Sequence, residues 1–193
     1  AAALGSPMIA GRISRLVYDC NRPPEAPSAI PVRSAGVEVP GNAGLSEAAR
    51  AARVADVYDP FSHALDDLLA RRGRVGTPFA LITVHSFTPV WQGVPRAVEI
   101  GILHDADTRL ADAILAEEPR GRAILRNAPY GPEDGVTHTL RRHGLGNALP
   151  NVMIEIRNDL IATPAEQARI TRELASMLRS ALSCIGVTGA QDA

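Results

Sequence analysis

The stretch that decides the fold is Asn151-Val152-Met153-Ile154-Glu155-Ile156. A short run of this apolar composition predicts a buried β-strand, with Glu155 near its carboxyl end. A helix start follows, because Thr163 is a good N-cap and Pro164 suits the first helical position. We predict that this helix runs to about residue 184. A buried strand followed by a helix is the repeating unit of α/β proteins.

The same alternation continues toward the N-terminus. Residues 79–84 are almost continuously apolar, which predicts a central strand buried on both faces, with His85-Ser86 at its end. The end of the run 8–20 predicts a strand that leads into Asn21 and Arg22. Further predicted elements are strands at 98–103 and 123–126, and helices at 47–58, 61–72 (after an interruption at Asp59-Pro60), 107–117 and 136–143. This order predicts an α/β three-layer sandwich with a mixed, mostly parallel sheet and helices on both faces.

Length and composition predict one domain over residues 1–193. Within it, residues 22–44 are rich in proline and glycine and predict a long irregular loop. The formal net charge of -1 gives no electrostatic reason to expect a nucleic acid or a membrane surface as partner. The two cysteines, Cys20 and Cys184, have no metal-ligand spacing and are predicted to be free, buried thiols.

Three polar clusters follow predicted strands, where α/β proteins gather their reactive groups. His85 is placed to bind a metal through a neutral imidazole, although a structural histidine fits the same pattern. Glu155 lies in an apolar strand, where a desolvated carboxylate needs a partner. It either takes part in the chemistry or forms a buried ion pair with Arg157 or another arginine. Asn21-Arg22 is suited to hold a carboxylate, although it could instead anchor the loop to Asp19.

The other nucleophiles and histidines give weaker patterns. Ser86 could belong to a Ser-His-Asp triad, but the sequence has no GxSxG elbow. His138 and His143 are five residues apart, which is off the i, i+4 spacing of a helical metal pair. His104 is predicted to lie on the surface at a strand end. These patterns leave His85, Glu155 and Asn21-Arg22 as the leading candidates.

Taken together, these segments resemble the N-formylglutamate amidohydrolase family over almost the whole chain. The motifs include Asn21-Arg22-Pro23, Val84-His85-Ser86-Phe87-Thr88-Pro89, Asn127-Ala128-Pro129-Tyr130 and Ile154-Glu155-Ile156-Arg157, with further matches at 14–20, 30–31, 39–42 and 58–63. The order and spacing of these motifs make the resemblance specific. The family is similar in fold and site plan to zinc carboxypeptidases and aspartoacylase-like deacylases, which implies a phosphorylase/hydrolase-like fold.

The resemblance also implies roles for particular residues. Asn21 and Arg22 look like the pair that grips the substrate carboxylate, and Arg96 like a second anion contact. His85 looks like a ligand of one Zn²⁺ ion. Glu155 looks like the residue that deprotonates zinc-bound water and protonates the leaving amine, which is chemistry that a nearby carboxylate can perform. The family's aromatic and histidine residues after the arginine are replaced here by Ala97 and Glu99.

A larger departure concerns the metal. Site plans of this kind take a further His and a Glu ligand from a segment before the Asn-Arg pair, but residues 1–20 contain neither. One protein ligand is too few for catalytic zinc. We therefore expect that an N-terminal part is missing and that the other ligands lie upstream of Ala1. The alternative is an inactive relative.

These implications predict a cytoplasmic, zinc-dependent amidohydrolase acting on a linear amide, with a small N-acyl amino acid such as N-formylglutamate as substrate. They predict no nucleic-acid or membrane partner and leave the oligomeric state open. Two alternatives are a carboxylate-binding relative without activity and a carboxypeptidase-like peptidase.

Overall fold

A computed structural model describes residues 1–117 and 121–187. The chain forms two compact units. We call Met8–Arg74 the N-terminal unit, and Ala1–Pro7 together with Val75–Ala193 the sheet unit. The proposal of one domain over 1–193 stays a prediction.

The N-terminal unit combines an irregular first half with a helical second half. Its elements are the hairpin strands β1 (Arg33–Ser34) and β2 (Val37–Glu38), helix α1 (Glu47–Arg53), a π turn (Val54–Tyr58) and helix α2 (Asp59–Val75). The start of α1 follows from Ser46, whose hydroxyl accepts the Ala49 N–H at 3.2 Å as an N-cap. A small core of Tyr18, Ala29, Ile30 and Tyr58 holds the irregular half together.

Two predictions for this unit were wrong. Asp59-Pro60 does not interrupt the helical path, because the Asp59 N–H bonds to the Val54 carbonyl across a π turn. That wider turn accommodates Pro60, which has no N–H to donate. The strand predicted at the end of 8–20 is instead a turn, since the N–H groups of Val17 and Tyr18 both donate to the Ser14 carbonyl.

The sheet unit is built on a four-stranded mixed sheet. Its strands are β3 (Leu81–Phe87), β6 (Ile100–Leu103), β7 (Ile124–Arg126) and β8 (Asn151–Arg157), and a separate hairpin pairs β4 (Val90–Trp91) with β5 (Val94–Pro95). The strand order in the sheet is β3-β8-β6-β7. β3 runs parallel to β8 and β6 parallel to β7, whereas β6 and β8 are antiparallel. This arrangement confirms a mixed α/β architecture.

One face of the sheet is closed by two helices, α3 (Arg109–Ala116) and α4 (Pro164–Cys184). Side chains alternate along a strand, so residues 152, 154 and 156 of β8 share this face. All three are buried in one apolar core with Ile100 and Ile102 of β6 and with Leu110, Ile114, Ile170 and Leu178 of the helices. We call it the scaffold face.

The opposite face is packed only in part by apolar residues. Leu103 and Met153 meet Val136 and Leu140 there, beside a helical turn at Leu140–Gly144. The remaining positions on this face include His85, Glu155 and Gly101, so we call it the site face. The full three-layer arrangement stays a prediction.

The prediction for residues 79–84 needs correction. β3 is an edge strand of the four-stranded sheet rather than a central one, and Val84 is 60% exposed. The strand also continues to Phe87, so His85 lies within it. The apolar run itself was predicted correctly, but the neighbours of a strand depend on distant parts of the chain.

The last predicted strand and helix are confirmed. β8 covers the predicted residues, and α4 begins with Thr163 and Glu166 in a reciprocal capping box. In the described ranges, no helix is both long and apolar enough to cross a membrane. Both cysteines are free, but Cys184 is exposed rather than buried.

Candidate active site

A row of paired residues crosses the site face of the sheet. His85 on β3 is the register partner of Glu155 on β8, and Glu155 is the partner of Gly101 on β6. Register partners project from the same face of a sheet, and neighbouring strands lie about 4.8 Å apart. The row therefore places the predicted metal ligand directly beside the predicted proton carrier.

The two side chains differ in their access to solvent. Glu155 is only 6% exposed, whereas His85 is partly buried. Burying a carboxylate that deep in the sheet costs free energy unless hydrogen bonds or an opposite charge stabilise it. Its neighbours along β8, Ile154 and Ile156, point to the scaffold face and contribute only packing.

Gly101 supplies space beside Glu155. A Cβ on Gly101 would clash with the carbonyl oxygen of Ala128 and would lie 2.8 Å from Leu103 Cδ1. The segment around Ala128 therefore crosses the sheet at the position next to Glu155, where only glycine leaves room for it. This close approach fixes one wall of the site face.

Arg96 lies in an aromatic enclosure in the same unit. Its guanidinium carbon is 5.5 Å from the ring centroid of Phe87, 5.1 Å from that of Trp91 and 4.8 Å from that of Tyr130. Its Nη1 donates to the Tyr130 hydroxyl at 2.9 Å and to the Thr88 carbonyl at 3.5 Å. Cation–π contacts of this kind hold a guanidinium without neutralising its charge.

The free donors of Arg96 distinguish it from other arginines of the sheet unit. Carboxylates pair with Arg109, Arg122, Arg126 and Arg157. Over residues 1–117 and 121–187, no acidic side chain pairs with Arg96, and its hydrogen bonds use Nη1 alone. Nε and Nη2 therefore present the edge that binds a carboxylate in a bidentate manner.

Arg157, the last residue of β8, forms a network of hydrogen bonds and ion pairs. It bonds to both oxygens of Asp159 and approaches Glu99, and its Nη1 donates to the Arg96 carbonyl at 3.1 Å. The hydrogen bonds from Arg157 hold the pKa of Asp159 below its usual range. This network ties the backbone of Arg96 to the sheet.

Asn21 and Arg22 lie in the N-terminal unit, on a turn organised by Asp19. The Asp19 carboxylate accepts the Asn21 N–H at 3.0 Å and two hydrogen bonds from the Arg15 guanidinium. The Asp19 carbonyl accepts the Arg22 N–H at 2.9 Å. Anchoring to Asp19, which the sequence left open as an alternative, thus involves the backbone of this pair. The turn therefore fixes the backbone positions from which the side chains of Asn21 and Arg22 extend.

A second brace, formed by Asn42 and Arg53, was not predicted from sequence. The buried Asn42 amide donates to the carbonyls of Leu16 and Pro31, both at 2.7 Å. Arg53 donates to the Asn42 side chain at 2.6 Å and to the Val17 carbonyl at 2.9 Å. These bonds join three stretches of irregular chain to α1. The motif at 39–42 was the signal for this role.

Cys20 is poorly suited to act as a nucleophile. Burial, assisted by the nearby Asp19 charge, raises the pKa of the Cys20 thiol to about 11. A thiol with that pKa is protonated at neutral pH and therefore unreactive.

Comparison with known proteins identifies the family of this chain. The sequence model of the N-formylglutamate amidohydrolase family matches residues 1–162. The chain belongs to this family. Its members are hydrolases that act on amides, so the amidohydrolase assignment is confirmed at that level.

A solved structure gives an independent match for this amidohydrolase family member. The crystal structure of a gene product from Agrobacterium tumefaciens aligns with a TM-score of 0.88 at 56% sequence identity. The alignment covers 90% of this chain and 69% of that one. No curated protein matches the sequence.

The described part of this amidohydrolase does not contain a complete set of ligands for the expected zinc ion. Among residues 1–117 and 121–187, no three His, Cys, Asp or Glu side chains converge in a way that could hold a metal. Catalytic zinc needs about three protein ligands. The described residues alone therefore do not fit a catalytic zinc ion.

Proposed function

We propose that the chain hydrolyses the amide bond of an N-acyl amino acid such as N-formylglutamate, with Glu155 as general base and then general acid. The observation that carries this proposal is the register of Glu155 with His85 and Gly101 on one face of the sheet. This register supports a buried carboxylate that has an imidazole on one side and, on the other, a glycine approached closely by the Ala128 carbonyl.

The burial of Glu155 supports its proposed role in proton transfer. It is buried at 6% exposure, which shields it from bulk water. A carboxylate in such a place takes a proton from the attacking water and later gives it to the leaving amine. General acid–base catalysis of this kind contributes about 10²–10⁴-fold to a rate.

Two sets of residues are proposed to hold the carboxylates of the substrate. Arg96 offers Nε and Nη2 from its aromatic enclosure, and its positive charge attracts an anion. Asn21 and Arg22 are proposed as carboxylate contacts because they match the family's Asn-Arg motif, on the turn fixed by Asp19.

Zinc dependence is part of the proposal, with His85 as one ligand of a single ion. A bound zinc ion would supply Lewis acidity to the reaction. Because the described residues do not complete its ligand set, the roles of Glu155, Arg96, Asn21 and Arg22 are proposed independently of the metal.

The test is an assay of amine and carboxylic acid release from a panel of N-acyl amino acids, with zinc added and with chelator. We expect hydrolysis of N-formyl-L-glutamate, and loss of activity with chelator. Activity that survives chelation would remove zinc from the proposal. Faster cleavage of dipeptides would favour a peptidase.

The second candidate function is carboxylate binding without catalysis. The observation that favours it is the incomplete metal-ligand set of the described residues. Glutamate binding measured by calorimetry, together with no hydrolysis of any panel member at saturating zinc, would select this alternative.

A further inference from the structure

We propose that Tyr130 is a substrate-binding residue whose hydroxyl donates a hydrogen bond to the carboxylate held by Arg96. The two side chains then form one receptor for a carboxylate. This inference rests on the proposed function, because it assigns a partner to the Arg96 contact of that site.

The hydrogen bond between the two side chains sets the direction of the phenol proton. Arg96 Nη1 has no lone pair and donates to the Tyr130 oxygen at 2.9 Å. The hydroxyl therefore uses an acceptor lone pair for Arg96 and keeps its own proton for another partner. In the part of the chain that the structure describes, no group accepts that proton.

A free donor of Arg96 lies next to the phenol. Nη2 makes no hydrogen bond to a described residue, and it shares the terminal edge of the guanidinium with Nη1, which holds the Tyr130 hydroxyl. A carboxylate has two oxygens and about four acceptor positions, so it can accept from Nη2 and from the phenol at once. A neutral amide or ester oxygen cannot use the positive charge in this way.

The segment that carries Tyr130 is anchored on both sides. Before it, the Asn127 N–H donates to the Ile102 carbonyl at 3.0 Å, and Ala128 packs against Gly101. After it, the Gly131 N–H donates to the Asp134 carboxylate at 2.9 Å. The hydroxyl is therefore held in place before a ligand arrives, which lowers the entropy cost of binding.

The ring of Tyr130 is fixed as well. It packs against the apolar cluster of Leu103, Val136, Leu140 and Met153. Its other contact is the Arg96 guanidinium, 4.8 Å from its centroid. The side chain thus connects the core of the site face to the guanidinium, and Phe in its place would keep the packing while losing the hydroxyl.

The experiment compares Tyr130→Phe, Arg96→Ala and the double variant, with circular dichroism to verify folding. Steady-state kinetics use N-formylglutamate and two analogues in which either carboxylate is replaced by a carboxamide. Tyr18→Phe, whose buried hydroxyl has no described hydrogen-bond partner, controls for loss of a phenol, and exposed Arg169→Ala controls for loss of a guanidinium.

We expect Tyr130→Phe to raise KM for N-formylglutamate about tenfold or more with kcat unchanged, as expected for a lost hydrogen bond to a charged group. The same change should have no effect on one of the two carboxamide analogues, and it should add little in the Arg96→Ala background. An unchanged KM, or a fall in kcat that is equal for all three substrates, would overturn the inference.

A binding measurement separates this inference from the proposed function. If wild-type protein hydrolyses none of the substrates, calorimetry with L-glutamate still compares wild type with Tyr130→Phe. Weaker binding by about tenfold in the variant supports the receptor although the proposed hydrolysis fails. Equal affinity in both proteins, or no glutamate binding by wild type, counts against the receptor itself.

Discussion

The two faces of the four-stranded sheet differ in what their side chains do, although they alternate along the same strands. On the scaffold face, Val152, Ile154 and Ile156 are all buried beneath α3 and α4. On the site face, the residues between them include Glu155, whose row continues to His85 and Gly101. Because side chains alternate strictly in a strand, a register shift of one residue would exchange these roles.

Residues that stabilise the fold and residues proposed for chemistry are thus separated by the direction of their side chains rather than by their position in the sequence. Glu155 and its neighbours Ile154 and Ile156 share one strand and similar burial, at 6%, 0% and 5% exposure. The face of the sheet decides which of these residues packs in the apolar core and which lies in the row with His85 and Gly101. Substitutions on the scaffold face should therefore change the free energy of unfolding, and those on the site face should change kinetics.

The largest effect on stability is expected from Leu110→Ala on α3. Leu110 is 0% exposed and packs in the scaffold-face core, and a buried Leu-to-Ala change costs about 2–5 kcal/mol of unfolding free energy. Urea denaturation measures it. At low temperature, the folded fraction should keep the wild-type KM for N-formylglutamate. A tenfold rise in KM would break the separation between the faces.

A smaller loss of stability is expected from Gly101→Ala on the site face. The added methyl group would displace the Ala128 carbonyl, and overpacking of this kind costs about 1–3 kcal/mol. Because Ala128 lies next to Glu155 and leads into Tyr130, kcat/KM should also fall. Chemical denaturation and steady-state kinetics on one preparation measure both effects.

Gly73→Ala is the matched control for that change. Gly73 lies in α2 with nothing near its missing Cβ, so alanine there should raise the unfolding free energy by about 0.5–1 kcal/mol. Activity should not change. If Gly101→Ala behaved like Gly73→Ala, the close approach of Ala128 would not be important.

The smallest effect is expected from the pH dependence of an ion pair at the start of α3. Hydrogen bonds from Arg109 hold the pKa of Asp107 below its usual range. A carboxylate with a depressed folded-state pKa stabilises the fold above its unfolded pKa of about 3.9, and the contribution is lost as pH falls through the folded pKa. Arg109 is 55% exposed, so screening limits the contribution to under about 1 kcal/mol.

Asp107→Asn should remove this contribution. The difference in unfolding free energy between wild type and variant should be present at pH 7 and should shrink as the pH falls below about 4. Denaturation curves at both pH values measure it. A difference that grows toward acid would contradict the sign of the pKa shift.

Local sequence signals were sufficient for the elements of the scaffold face. The apolar run of β8 and the Thr163-Pro164-Glu166 start of α4 are short-range patterns, and both are confirmed. Short-range patterns failed where a turn competed with them. Ser14 organises a turn in place of the predicted strand, and a π turn carries the helical path past Asp59-Pro60.

For the site face, individual residues could be predicted from the sequence, but their arrangement could not. His85, Arg96 and Glu155 were recognisable as separate candidates, but the register that pairs His85 with Glu155 depends on residues 70 positions apart. Tyr130 lies 34 residues from Arg96, and its role was not predicted. His104 was expected on the surface, but it is only 9% exposed, and its Nε2 lies 3.0 Å from Arg126 Nη1.

The most direct test of the central claim compares two neighbours on β8, Glu155→Gln and Ile154→Val, in both kinetics and chemical denaturation. We predict that Glu155→Gln lowers kcat for N-formylglutamate by about 10²–10⁴-fold while the unfolding free energy is unchanged or higher. Ile154→Val should cost about 0.5–1.5 kcal/mol of unfolding free energy and leave kcat/KM unchanged. Wild-type turnover by Glu155→Gln would contradict the proposed mechanism and the assignment of the site to this face.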